Sequence, residues 1–205
     1  NITMKLGKEV TTQEVLALKP YSILVATGSN VISIPLEGLD QVQTVQAHDV
    51  LANDMQFANK KVVVIGGGIT GLETALYINR QGTNQVSVVD MLPEWPVDML
   101  DMRYQNEALL EVRHCNDQGV ALFYNNKVVK FADGKLFIES TKDGEVKELP
   151  ADVIVLSVGV KPNDALWQEL LASGHPSVWK AGDAIATGKI NKAVLHGSKF
   201  GYSLN

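Results

Sequence analysis

The sequence predicts an α/β fold organised around a mainly parallel sheet. Three observations lead there. Short runs of β-branched and apolar residues recur along the chain, stretches with helically spaced apolar residues lie between them, and a glycine cluster joins one such run directly to one such stretch.

Taken in order, residues 2–6 alternate and predict a short strand. Thr11 or Thr12 caps a brief helix through Leu18, with Glu14 in its first turn and Pro20 ending it. The run YSILVA, residues 21–26, predicts a buried strand that stops at the turn formers 27–30. Residues 31–42 hold Pro35, Gly38 and Asp40 and read as a crossing linker, followed by a short helix over 47–52. From Lys60 the run KKVVVI predicts a strand. Ile69, Leu72, Ala75, Leu76 and Ile78 then give helical spacing, and Gly82 suits the helix end. QVSVVD, residues 85–90, is the next strand, residues 99–116 a long helix, and 120–124 a strand. Residues 127–131, 135–141 and 146–149 predict an antiparallel meander with tight turns at Asp133-Gly134 and Asp143-Gly144. DVIVLSVG, residues 152–159, is a returning buried strand. A helix over 165–172, a strand over 177–181 and a helix over 190–203 complete the pattern.

Composition narrows the classes of function. The chain has 205 residues, 45% of them hydrophobic and 20% charged, an ordinary balance for a globular protein. A net charge of -5 and scattered lysines argue against a nucleic-acid partner, which needs a concentrated basic face. No apolar stretch approaches the roughly 18 residues of a membrane span, and residues 1–11 lack a signal-peptide pattern. The lone cysteine, Cys115, allows no internal disulfide, which suits a reducing, cytoplasmic setting. It is read as a semi-buried helix cysteine. The histidines, His48, His114, His175 and His196, show no metal-type spacing, so no metal site is expected.

The most informative segment is VVVIGGGITGLE, residues 62–73, in which Gly66, Gly68 and Gly71 fit GxGxxG between a strand and a helix. Gly66 permits the tight turn, Gly68 lets a pyrophosphate approach the backbone, and Gly71 lets the helix pack closely on the sheet. Backbone N–H groups at the helix start then hold the anion, placing Gly67, Ile69 and Thr70 among the expected contacts. Asp90 ends the next strand, where a carboxylate accepts hydrogen bonds from the adenosine ribose, with Met91 beside it. A carboxylate there repels a 2′-phosphate, and no lysine or arginine lies between Asp90 and Pro96, so NAD is favoured over NADP; Arg103 is the residue able to swing in. Glu73 is placed in the first helical turn and reads equally as a dipole partner or as a neighbour of the nicotinamide. Trp95, in a Pro-flanked loop, either covers the adenine or closes the loop, and Trp179 reads as core.

With these pieces in hand, ILVATGS (23–29), the glycine motif, LSVGVKPN (156–163), VWKAGDA (178–184) and KINKAVLHGSKFGYSL (189–204) follow one another in an order that resembles the pyridine nucleotide–disulfide reductase superfamily. Within it the likeness is nearest to the C-terminal half of Old Yellow Enzyme-like NADH:flavin oxidoreductases and 2,4-dienoyl-CoA reductases. The resemblance implies a Rossmann-like nicotinamide-binding domain, a parallel sheet plus β-meander, with remnants of a flanking FAD-binding domain. It implies segments at 1–43 (partial FAD-domain segment and crossover), 44–160 (NAD-binding domain) and 161–205 (return into the FAD-domain segment). It further implies that Ala26, Thr27 and Gly28 mark the crossover, and that Gly182 and Asp183 mark the return, with Asp183 toward the flavin ribityl or pyrophosphate. Gly159 would then lie near the bound dinucleotide, and the helix carrying His196 would point its start at the flavin. His196 itself reads as a packed or surface histidine.

One departure stands out. The family pattern puts a second GxGxxG, for FAD, before the ATG element, and residues 1–20 contain only Gly7. The expectation is therefore a fragment of a larger protein that binds NADH, with FAD held in the intact parent. FMN and an iron–sulfur cluster would lie in the parent's other parts, and the remainder of the parent would be the partner. No side chain is nominated as a catalytic acid or base. A non-catalytic NAD(H)-binding or sensing module is the alternative.

Overall fold

The computed structural model describes residues 2–93 and 105–204. In chain order its helices and strands are α1 (Thr12–Ala17), β1 (Ile23–Val25), β2 (Ser29–Val31), β3 (Gln43–Gln46), α2 (Ala47–Ala52), β4 (Lys61–Ile65), α3 (Ile69–Asn79), β5 (Gln85–Val89), α4 (Gln105–Asp117), β6 (Ala121–Phe123), β7 (Asn126–Ala132), β8 (Lys135–Ser140), β9 (Val146–Pro150), β10 (Val153–Leu156), β11 (Val160–Pro162), α5 (Ala165–Ala172), β12 (Val178–Lys180) and α6 (Ile190–Ser203). They form two units: Asn1–Ile32 with Val160–Asn205, and Ser33–Gly159. The linker residues Ile34, Leu36, Leu39 and Val42 pack on the core of the central unit rather than running free.

In the central unit, the described strands form a parallel sheet in the order β3-β10-β4-β5-β6. Side chains on a strand alternate between faces, and here both faces are covered. Val62 and Val64 of β4 point into a core shared with Leu72, Ala75 and Leu76 of α3, Val50 of α2 and Cys115 of α4. Val63 and Ile65 point the other way, against Phe131, Leu136 and Ile138 of the meander β7-β8-β9. This explains why β4 and β10 read as unbroken apolar runs. The meander turns at Asp133 and Gly134, both with positive φ, as a two-residue hairpin loop requires.

The flanking unit pairs β1 with β12 in parallel and packs α1 and α5 on them through Val15, Leu16, Trp167 and Leu170. A reciprocal cap starts α1. The Thr11 hydroxyl accepts from Glu14 N–H, and the Glu14 carboxylate accepts from Thr11 N–H.

Several expectations are corrected. Residues 2–6 form no strand; Ile2, Met4 and Leu6 are exposed, and no described strand lies alongside to supply a ladder. A strand missing from the sequence reading, β3, is an edge strand whose QTVQ carries one apolar residue, and it is held by its neighbour β10. β2 and β11 pair antiparallel and were likewise unforeseen. Trp179 is not core: it is 44% exposed and meets Phe200 edge-on. Trp95, Pro96 and Arg103, and the first part of the helix expected from residue 99, lie outside the described residues.

Cys115 is fully buried, not half-buried, with its thiol toward the Leu72 carbonyl. Burial, reinforced by the Glu111 charge, pushes the thiol up to about 12. The thiolate is the reactive form. The native protein at pH 8 should therefore resist iodoacetamide and react only once unfolded, at a rate greater by at least roughly tenfold. Mass spectrometry of the alkylated native chain checks this.

Candidate functional site

The turn from β4 into α3 is built by close backbone contacts. Gly66 has φ +110°, and its N–H donates to the Val89 carbonyl at 2.8 Å. A Cβ at Gly66 would lie 2.2 Å from the Ser157 carbonyl oxygen at the end of β10. At Gly71 a Cβ would lie 2.0 Å from the Gly66 carbonyl oxygen. The third glycine thus brings the first turn of α3 hard against the loop, and no larger residue fits. Gly68 is the N-cap, with φ -69° and ψ 174° and no side chain to cap the helix. Helix starts leave N–H groups without intrahelical acceptors, and these together with the dipole favour an anion. Ile69 and Thr70 open the helix, so six of the expected contacts, Gly66 to Gly71, form one continuous turn.

Asp90 meets this turn from the next strand. Its Oδ2 accepts from Gly67 N–H at 2.6 Å and its Oδ1 accepts from Leu92 N–H at 2.8 Å. The carboxylate is thus oriented by two backbone donors at the mouth of the glycine turn. Met91 follows, 61% exposed. Glu73 is placed differently from the expectation. The helix begins at Ile69 and its first turn holds no acid, so Glu73 lies beyond the reach of the first-turn dipole argument. Gly159 has φ +94° and closes the central unit.

Sequence reasoning missed two residues at this turn. Ser157 supplies the carbonyl that Gly66 packs against. Tyr124 follows β6, and its Cε1 lies 3.0 Å from where a Gly67 Cβ would be. Only the strand order, with β6 beside β5, brings Tyr124 next to Asp90, and no local sequence signal encodes that.

The flanking unit holds a cavity of about 460 Å³. Ala26 and Gly28 reach it from the end of β1, Gly182 and Asp183 from the turn after β12, and Ala193 and Gly197 from α6. Asp183 Oδ1 accepts from Gly188 N–H at 3.1 Å, which ties the return turn to the start of α6. Lys189 is the N-cap of α6, and in the first turn the Asn191 side chain accepts from Lys192 N–H at 2.9 Å. Thr27 does not line the cavity; its hydroxyl donates to the Asn163 carbonyl at 2.5 Å. His196 is half-buried on α6, outside the cavity lining. No grouping of His, Cys, Asp and Glu able to hold a metal occurs among the described residues, and none of their helices is long and apolar enough to cross a membrane.

The profile of the pyridine nucleotide-disulphide oxidoreductase family matches residues 3–197. An NADH oxidase of Thermoanaerobacter brockii is 29% identical over 99% of the chain, which spans 31% of that protein. A bilirubin reductase of Mediterraneibacter gnavus is 32% identical over 80% of the chain, spanning 24% of the relative. Among solved structures, a 2-naphthoyl-CoA reductase in complex with 2-naphthoyl-CoA superposes with a TM-score of 0.82 at 26% identity. That match covers 98% of this chain and 29% of the other. The chain therefore spans about a third or less of the proteins it matches here.

Proposed function

This chain belongs to the pyridine nucleotide-disulphide oxidoreductase family, whose members are flavin-dependent NAD(P)H oxidoreductases, and on that premise we propose that it is the NADH-binding part of such an enzyme. The observation that carries the reading is the Asp90 carboxylate fixed 2.6 Å from Gly67 N–H at an α3 start that only glycine can build.

The close contacts of Gly66 and Gly71 with backbone, and of Gly67 with Tyr124 and Asp90, support the reading, because they hold the α3 start in a tight turn whose first N–H groups suit an anion. Gly66 to Gly71 would hold the pyrophosphate on backbone N–H groups, and Asp90 would accept the ribose hydroxyls. Met91 would flank them. Glu73 would stand beside the nicotinamide, and Gly159 near the bound dinucleotide. In the flanking unit, Ala26, Gly28, Gly182 and Asp183 would line the flavin cavity, with Thr27 bracing the crossover through Asn163. When bound, NADH supplies the hydride and FAD accepts it. This chain's work is orientation, water exclusion and electrostatics. No side-chain acid or base enters the hydride step.

At the finer level we place the chain with Old Yellow Enzyme-like and 2,4-dienoyl-CoA reductase-type enzymes, whose other parts would carry FMN and an iron–sulfur cluster. Likeness to proteins named for reduction of bilirubin and 2-naphthoyl-CoA supports an unsaturated final acceptor. The alternative is a non-catalytic NAD(H)-binding or sensing module.

Titration by nicotinamide fluorescence tests the reading. NADH is expected to bind at least roughly tenfold more tightly than NADPH, because a 2′-phosphate placed against the carboxylate is a like-charge contact. The reverse order would remove Asp90 from its assigned role. A yellow purified chain, absorbing in the blue as bound flavin does, would favour the catalytic reading; a colourless chain that binds NADH would favour the module.

A further inference from the structure

The site contains a residue that neither the motif nor the family match assigns. We propose that Tyr124 is a positioning residue for the ribose-binding carboxylate and, through it, a determinant of the choice between NADH and NADPH. This inference rests on the dinucleotide reading above.

The argument starts with the backbone. Asp90 N–H donates to the Phe123 carbonyl at 3.0 Å, and the Asp90 carbonyl accepts from Asn126 N–H at 2.9 Å. The Leu92 carbonyl accepts from Asn125 N–H at 2.8 Å. Tyr124 therefore lies between two residues that Asp90 itself grips, and its place relative to the carboxylate is fixed from both ends. Asn126 strengthens the grip, since its side-chain amide donates to the Tyr124 carbonyl at 2.7 Å.

The side chain then meets the glycine turn. Where a Gly67 Cβ would stand, Tyr124 Cε1 is 3.0 Å away, Asp90 Cβ 3.2 Å and Asp90 Oδ2 3.3 Å. Ring edge, carboxylate and glycine backbone thus converge on one point. Tyr124 is half-buried as a residue, with its hydroxyl oxygen buried. A rigid aromatic wall does two things here. It keeps the Gly67 peptide from moving away from the carboxylate that accepts its N–H. It also removes water from one side of that carboxylate, which strengthens both its attraction for hydroxyl donors and its repulsion of a phosphate.

The test measures NADH, NADPH and 5′-AMP affinities of the whole chain carrying Tyr124→Ala, Tyr124→Leu or Tyr124→Phe. The alanine variant should bind NADH and 5′-AMP roughly tenfold more weakly, as loss of a packed aromatic contact implies. Its preference for NADH over NADPH should narrow. Phenylalanine should restore both to within about twofold, because the ring carries the effect. Leucine, which fills the space without a planar edge, should fall between, and it keeps the test alive if the alanine chain does not fold. Unchanged NADH and 5′-AMP affinity in a folded alanine or leucine variant would overturn the inference. So would an equal loss for NADH and NADPH, which marks general loosening instead. If the unmodified chain fails to bind NADH, the dinucleotide reading falls and this inference with it. Failure of the variants alone to differ sinks only the assignment of Tyr124.

Discussion

Gly71→Ala should destabilise the central unit by about 3 kcal/mol or more and abolish NADH binding, although it adds a single methyl group. The added carbon would stand 2.0 Å from the Gly66 carbonyl oxygen and 3.3 Å from Ser157 Oγ. The first of these is backbone, so no rotamer change relieves it; α3 must lift away from the loop or the loop must open. Either movement separates the helix start from the Asp90 carboxylate. For a chain of this size the loss corresponds to a fall in melting midpoint of roughly 6–12 °C. Gly66→Ala should behave at least as badly, since it combines φ +110° with a 2.2 Å approach to the Ser157 carbonyl oxygen. The contrast is Gly201→Ala on α6, where nothing lies within 4 Å and φ is not positive. That substitution should be neutral or stabilise by up to about 1 kcal/mol, because alanine favours helix. A melting series on the three variants decides the matter. If Gly71→Ala melts with the parent chain, the close helix–loop contact is not what selects glycine there.

The same residues show what a sequence discloses of such a site. The β4–α3 turn was legible because both neighbours announce themselves. An apolar run buried on both faces comes before, and helically spaced Leu72, Ala75 and Leu76 come after. Asp90 was legible because the carboxylate lies a fixed chain distance past the turn. Tyr124 was not, because its place depends on β6 lying beside β5, a long-range pairing with no local signature. β3 escaped for a related reason: an edge strand needs little apolar character of its own when a buried strand supplies the ladder. Alternation misled in the opposite sense at residues 2–6, since a period of two describes a surface only where a partner strand exists. Glu73 was misplaced because it is the fifth residue of a helix that starts at Ile69, just past the first turn in which the dipole acts.

Asp90→Ala is expected to weaken NADH binding by about 10–100-fold while changing NADPH binding only a few-fold, so that the preference between them collapses. The carboxylate has two duties, and the variant must be read with both in view. It accepts Gly67 N–H at 2.6 Å and Leu92 N–H at 2.8 Å, so its removal leaves two backbone donors to water and loosens the turn for either cofactor. Its remaining lone pairs would accept the ribose hydroxyls. Hydrogen bonds to a charged group contribute about 1.5–3 kcal/mol each, which sets the scale of the NADH loss. For NADPH the loosening is offset, because the charge that opposes the 2′-phosphate has gone. Asp90→Asn separates the two duties. It keeps an oxygen for Gly67 N–H and drops the charge, while its amide nitrogen cannot accept from Leu92 N–H, so the turn loses one of its two anchors. NADPH binding should improve while NADH binding falls less than in the alanine variant. Fluorescence titrations of both variants with both cofactors, alongside urea unfolding, distinguish a lost ligand contact from a lost loop. Equal weakening of the two cofactors by Asp90→Ala would mean that the carboxylate serves only the loop. The selection of NADH would then have to be sought elsewhere in the chain.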